Sequence, residues 1–371
     1  MATRTIPAAP DQITADWLTV VLAAALGRVA VRSVRSETIG RERGFTGIVA
    51  RLHLEYAEAL AGAPSTIIAK CPLAQTVSPA ESAEQDRADP IAVDRALREL
   101  RFYRDHILSG AVPTPRLFFG DADERLGTAV LLMQDLGAMA AGDVLVGATP
   151  AEADAVLTAI APLHARFWGS AAVPRWLPQA DVDRARLEQR LAQHVGPFLS
   201  KFRRDLPVPV GELIERLPQR YGAVLAALAR LPRTVIHGDL HLDNVLFATD
   251  TRSAPVVILD WQSVAVGPAM RDLAIFIGSG VSVAGHRSAV DALLATYHRR
   301  LGQRGNHGYT LAHVRDHFRL ALLRHLAGVV TWLGGVDWSQ LSGRERAVTE
   351  AAVGDGRLVA ALTESDIAAL V

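Results

Sequence analysis

The chain has one cysteine, Cys71, in 371 residues. No intrachain disulfide can form, which fits a reducing cytosol. It has no net charge either: Lys+Arg and Asp+Glu both number 39. That balance removes a global electrostatic case for nucleic acid or an anionic membrane. Long apolar runs are missing as well. Trp17 to Leu26 is too short to span a bilayer, which takes about 20 residues. Met1 to Ile6 lacks the apolar core of a signal peptide. These absences predict a cytoplasmic protein with no nucleic-acid or membrane partner, and nothing implies a protein partner.

Apolar residues, in contrast, make up 50% of the chain, enough for a large core without staples. The length exceeds what one core usually organises, so two lobes are expected. The order of patterns divides them. Pro10-Asp11 opens a helix through Leu26. Residues 29–39 are rich in Val and Ile, and 48–56 alternate. There Ala50, Leu52, Leu54 and Tyr56 share one face, as on a half-buried strand. Thr66 to Lys70 and Thr128 to Met133 read as further strands, with another near Leu117 to Phe119 before an Asp-Ala-Asp-Glu turn. A helix is expected from Ile91 to Leu108, and residues 72–90 read as a surface loop. Helical patterns then dominate: 150–168, 181–204, 211–230, 268–280, 286–302, 310–333 and 343–364. Thr149-Pro150-Ala151-Glu152 is a capping box with Pro at the first helical position. The expected division is a β-rich lobe over 1–134 and a helical lobe over 135–371.

The chemistry concentrates in His237-Gly238-Asp239-Leu240-His241-Leu242-Asp243-Asn244. This loop lies between two apolar runs. A further apolar run, Val256 to Leu259, ends in Asp260-Trp261-Gln262. Asp239 and Asn244 have the Asp-to-Asn spacing of a kinase catalytic loop, and Asp260 stands where the metal-holding Asp follows the next strand. Asp239 is the candidate base for an acceptor hydroxyl. Asn244 and Asp260 offer the hard oxygen donors that suit Mg²⁺. His237 and His241, with their acids, allow a second reading as a transition-metal phosphoesterase with Asp239 and Asp260. A structural reading gives His237 the bracing of the loop. Asp272, in Gly267-Pro268-Ala269-Met270-Arg271-Asp272, could accept N–H bonds from this loop or serve as a first-turn helix acid.

Upstream residues complete a phosphoryl-transfer set. Gly40 to Gly47, ending in Gly44-Phe45-Thr46-Gly47, would let backbone N–H groups approach phosphate. Lys70 ends an apolar strand. Glu99 lies in an apolar helical stripe with Ala92, Ala96 and Tyr103, where a carboxylate needs a partner. Lys70 is the natural one. A nucleotide-binding pseudokinase stays open as a third reading, although every expected catalytic residue type is present.

Four motifs carry a resemblance: residues 237–244, Ile258-Leu259-Asp260-Trp261-Gln262, Leu163-His164-Ala165-Arg166-Phe167-Trp168, and Glu99-Leu100-Arg101-Phe102-Tyr103. The chain resembles the aminoglycoside phosphotransferase and choline-kinase-like superfamily, in its bacterial branch related to ecdysteroid-kinase-like proteins. The resemblance implies an α+β, bilobal, protein-kinase-like fold: a small antiparallel β-sheet lobe and a mainly helical lobe. It also implies ATP, Mg²⁺ and phosphorylation of a small-molecule hydroxyl. By position, Lys70 would contact the α/β-phosphates, with Glu99 pairing it. Gln134, Asp135 and Leu136 would be the adenine hinge. The chain lacks Asp-Phe-Gly, Ala-Pro-Glu and a Gly-x-Gly-x-x-Gly loop, which argues against a protein substrate. Phe318, Leu322, Trp332 and Trp338, among few acids, would suit an uncharged, partly hydrophobic alcohol better than a polyamine.

Overall fold

The computed structural model describes residues 5–39, 47–58, 61–72, 90–124, 128–249, 256–281, 286–305, 308–354 and 357–364. The candidate cover residues Gly44, Phe45 and Thr46 therefore lie outside the described residues, whereas Gly47 opens a strand. The chain folds into two compact units. One holds Met1–Gly110, Thr114–Ala138 and Leu259–Ser263; the other holds Ala111–Pro113, Met139–Ile258 and Val264–Val371.

The first unit contains α1 (Ala15–Leu26), β1 (Val31–Ile39), β2 (Gly47–Tyr56), β3 (Thr66–Pro72), α2 (Pro90–Arg104), α3 (His106–Ser109), β4 (Leu117–Asp123) and β5 (Thr128–Gln134). Its strands form one antiparallel sheet in the order β1-β2-β3-β5-β4. The alternation of β2 buries Ala50, Leu52 and Leu54. Leu18, Val21 and Leu22 of α1 share a core with Leu52, Ile67, Ala69, Cys71, Val130 and Leu132. Each buried Leu or Ile contributes roughly 1.5–3 kcal/mol of transfer free energy.

Three local expectations need correction. Pro10 does not open α1. Pro10–Gln12 is a separate 3₁₀ turn, and the Thr14 hydroxyl caps α1 by accepting the Trp17 N–H at 3.2 Å. The helix expected over 91–108 breaks at Asp105 into α2 and α3; Asp105 accepts N–H groups of α3. Asp121 and Asp123 belong to β4 rather than a turn, because pairing with β5 carries the strand to Asp123.

The second unit is mainly helical: α4 (Pro150–Phe167), α5 (Arg184–Phe202), α6 (Val208–Leu228), α7 (Met270–Gly280), α8 (His286–Gly302), α9 (Leu311–Gly335), α10 (Gly343–Gly354) and α11 (Arg357–Glu364). The expected capping box opens α4, with Thr149 and Glu152 each satisfying the other's N–H. Helix α9 packs against α5 and α7. Its Phe318 and Leu322 are core residues, 1% and 0% exposed, so they line no substrate surface. Trp332, at 45% exposed, does face solvent. Two small sheets sit among the helices. β7 (Arg233–Ile236) pairs with β10 (Ala265–Pro268), and β8 (Val245–Phe247) joins β6 (Ala140–Ala141) to β9 (Val256–Ile258). Among the described residues, no helix is long and apolar enough to cross a membrane.

Candidate active site

In the first unit, β3 delivers Lys70 from an apolar strand, in register with Val49 and Leu131. Lys70 is one of two lysines in a chain with 37 arginines. Its side chain is 7% exposed. Nζ stands 2.7 Å from Glu99 Oε2 and 2.6 Å from Asp260 Oδ1. Burial would lower the ammonium, but Glu99 and then Asp260 outweigh it and hold it above the ordinary lysine value. The expected Lys70–Glu99 pair is therefore present, with Asp260 as its second acid. Helix α2 turns Glu99 inward beside Leu100, Phe102 and Tyr103. Phe102 stacks on Trp261 at 3.9 Å and 6°. That contact fixes the residue following Asp260, which itself has φ +59°, a conformation Asp tolerates better than most side chains. Asp260 Oδ2 accepts the Gln262 amide at 3.0 Å.

At the end of β5, Asp135 accepts Arg51 Nε at 2.6 Å and the Gly137 N–H at 2.9 Å. Burial raises its carboxyl, but the bonds from Arg51, Thr66 and the Gly137 N–H, with the Arg51 charge, together outweigh it and leave the group below the usual range. These bonds order the segment Gln134-Asp135-Leu136, in which Gln134 still pairs in register with Ile67.

In the second unit, β7 runs directly into the His-Gly-Asp loop. Asp272 of α7 holds that loop by its backbone. Its Oδ2 accepts the His237 N–H at 2.7 Å, and its Oδ1 accepts the Gly238 N–H at 2.9 Å. Asp272 fits both expectations: it binds the loop N–H groups and it lies in the first turn of α7. His164 Nε2 stands 3.1 Å from the same Oδ2, and its Nδ1 is 2.9 Å from the Tyr297 hydroxyl. Thr234 donates its hydroxyl to the His164 carbonyl at 2.7 Å. His164, Asp272 and Tyr297 are completely buried. Sequence reasoning places His164 in a motif without assigning it a role. A histidine on the buried face of an apolar helix was the available signal.

His237 is also fully buried, and its Nδ1 accepts the Asp239 N–H at 3.2 Å, the bracing role expected of it. Gly238 turns the chain with φ +83°. A side chain there costs about 1–2 kcal/mol, so Gly238→Ala is expected to lower the unfolding free energy by about that much in urea titration. An unchanged midpoint would contradict the assigned backbone. Asn244 donates Nδ2 to the Asp239 carbonyl at 3.0 Å and lies 3.1 Å from His241 Nε2. This orientation turns its side-chain oxygen away from the loop carbonyl. Asp239 keeps a 43% exposed carboxylate, 3.7 Å from His241 Nε2.

Two further supports had no reading from sequence. Asp243 and Asp143 both bind Arg344 of α10, at 3.1 and 3.0 Å. Asp243 also accepts the Val144 N–H at 2.9 Å. A Cβ on Gly142 would stand 2.4 Å from the Leu242 carbonyl oxygen, so this position admits only glycine.

Two groups in this unit link stability to pH. Burial, then the charges of Arg324 and Arg271, push His325 down from 6.5 to about 4. The unfolded chain thus takes the proton first as pH falls. Stability is full above pH 6.5 and declines toward pH 4. Asp272 is raised by burial, but the His164 bond, the nearby His164 and His237 rings and the Gly238 N–H together outweigh it and set the carboxyl below 3.8. It adds a second loss in more acid solution. The expected result is a urea midpoint that falls between pH 7 and pH 4, with a shallower slope in His325→Gln. A midpoint independent of pH over that range would contradict it.

A sequence profile of the phosphotransferase enzyme family (APH) matches residues 83–313, well over half of the chain. The chain belongs to this family. The matched span contains Glu99, the His-Gly-Asp loop, Asp260 and Asp272, while Lys70 precedes it. Solved structures with TM-scores above 0.5 share the fold of this phosphotransferase. A Ralstonia eutropha JMP134 protein named for aminoglycoside phosphotransferases is 17% identical, with TM-score 0.51, covering 95% of this chain and 98% of its own. The GDP complex of an aminoglycoside 2′-phosphotransferase-IIIa variant is 14% identical, with TM-score 0.51, covering 95% and 97%. A choline/ethanolamine kinase family protein from Mesorhizobium loti is 16% identical, with TM-score 0.48, covering 96% and 99%. No curated protein sequence matches the chain. The family and the α+β architecture, an antiparallel five-stranded sheet with a helical region, agree with the resemblance drawn from the motifs.

Proposed function

We propose that this phosphotransferase moves the terminal phosphoryl group of ATP to a hydroxyl of a small molecule. The observation that carries the reading is Lys70, a buried ammonium held between two carboxylates in a chain almost without lysine. In this reading residues 1–134 bind nucleotide, Lys70 grips the α/β-phosphates, and Glu99 orients Lys70. Gly44, Phe45, Thr46 and Gly47 cover the phosphates, and Gln134, Asp135 and Leu136 hold adenine by their backbone. Residues 135–371 supply Asp239 and the acceptor pocket. The bond from the γ-phosphorus to the bridging oxygen breaks as a bond to the acceptor oxygen forms. Asp239 takes the hydroxyl proton.

The residues also fit Mg²⁺. Asn244 and Asp260 present oxygen donors, and no group of three or more His, Cys, Asp or Glu among the described residues could hold a metal alone. Magnesium bound by one or two side chains and the nucleotide's own phosphates suits that donor set. Bound there, it would neutralise charge on the transferring group. Within the His-Gly-Asp loop, His237, Asp239 and His241 form no such group either, which counts against the phosphoesterase reading. ATP supply and a free buried cysteine favour the cytoplasm.

The test is ADP release with ATP or GTP, Mg²⁺ and a panel of aminoglycosides, amino alcohols and apolar alcohols. Release that requires both Mg²⁺ and one alcohol is expected. Phosphate release from an ester without nucleotide, or tight nucleotide binding without turnover across the panel, would overturn the reading.

A further inference from the structure

We infer that a cavity of about 370 Å³ beside the β7–β10 ribbon binds a small organic anion. The cavity lies within the helical unit and uses no residue assigned to phosphoryl transfer. Its volume falls at the lower end of small-ligand pockets, about 300–1,000 Å³.

One side is cationic. Arg184, the first residue of α5, and Arg233, the first of β7, line it. Arg233 donates Nη2 to the Val266 carbonyl at 2.6 Å, while its Nε has no hydrogen-bond partner among the described residues. The wall also holds an acid, Asp181, whose carboxylate is already committed. Its Oδ2 lies 3.1 Å from Arg271 Nη1 and its Oδ1 lies 3.0 Å from Arg324 Nε. Asp181 reaches both guanidinium groups from a left-handed backbone, φ +57°. Arg271 and Arg324 thus share one carboxylate, whose charge also reaches Arg233. Asp272, whose charge also reaches Arg271, is spent on His164 and the loop N–H groups.

An excess of partly desolvated positive charge is costly, and an anion offsets it. Burial holds Arg271 and Arg233 below the ordinary arginine value, while Asp181 holds Arg324 above it. The other side is apolar: Leu225, Leu228, Ala229 and Pro268. A ligand that satisfies both sides carries a carboxylate or phosphate head on Arg233 and Arg184. Its short hydrocarbon body lies against α6. Neutral or cationic molecules of the same size satisfy only one side.

The experiment is calorimetry on the full chain with hexanoate, hexyl phosphate, hexanol and hexylamine. Wild type, Arg233→Gln, Arg184→Gln and Ala229→Glu are compared, each checked by circular dichroism. At least one of the two anions is expected to bind wild type about tenfold or more tighter than hexanol or hexylamine; which anion binds better identifies the head group. Arg233→Gln should weaken that anion by about tenfold or more, and Ala229→Glu should abolish its binding by placing a competing carboxylate in the cavity. Arg184→Gln, exposed at the start of α5, decides the matter if the other variants fail to fold. Absence of anion binding in wild type overturns the proposal. So does equal affinity for hexanol, or undiminished anion affinity in the folded variants.

Discussion

Replacing Asp239 by Asn is expected to lower turnover by roughly 10²–10⁴-fold, the usual contribution of a general base, with little change in stability. The two outcomes separate because of where the side chain sits. Its backbone N–H is bonded to His237, and its carbonyl takes the Asn244 amide. The substitution keeps both bonds. The carboxylate is 43% exposed, and the His241 ring lies 3.7 Å from it within the loop. An amide there preserves shape and removes the proton acceptor. The measurement is kcat alongside a thermal unfolding curve. Retained kcat would remove Asp239 from the chemistry. A collapse of the melting temperature would make it a structural residue.

Asp272→Ala is expected to do the reverse, with its main effect on stability: a loss of roughly 3–5 kcal/mol, as for breaking a buried ionic network. Asp272 is 0% exposed, and its oxygens accept the His237 and Gly238 N–H groups. Truncation leaves two backbone donors unmatched, each costing about 1–3 kcal/mol, and removes the oxygen 3.1 Å from His164 Nε2. The loop carrying Asp239 then loses its anchor, so activity falls as well. Asp272→Asn should lose less, since one side-chain oxygen still accepts an N–H. Urea unfolding of the three proteins checks the order wild type, Asn, Ala. Equal midpoints for wild type and Ala would show that the anchor contributes nothing.

Much of this was legible in the sequence because the signals were local. Alternation marked β2, a capping box marked α4, and the Asp-to-Asn spacing marked the loop. The Lys70–Glu99 pair followed from one physical rule, that a carboxylate on a buried helical face needs a cation, and the two side chains do meet. Other features depend on residues far apart in sequence. Asp260 reaches Lys70 across 190 positions and Arg344 reaches Asp243 across 101, distances over which periodicity carries no information. His164 stood within a motif, but its partners Asp272 and Tyr297 lie 108 and 133 residues away. Phe318 and Leu322, two of the four residues offered as a substrate surface, failed for a related reason. Composition does not say which face of α9 turns inward, and Phe318 and Leu322 are on the inner face. The break at Asp105 was missed because the apolar stripe continues past it into Leu108.

The central claim is transfer from a nucleotide to an acceptor hydroxyl, with Asp239 taking the proton. The most direct measurement uses an acceptor alcohol labelled at its hydroxyl oxygen, incubated with ATP and Mg²⁺, followed by mass spectrometry of the products. The account predicts a phosphate ester that keeps the labelled oxygen as its bridge, formed in equal amount to ADP, and lost in Asp239→Asn. Free phosphate without ester, or an ester whose bridging oxygen has lost the label, would contradict it.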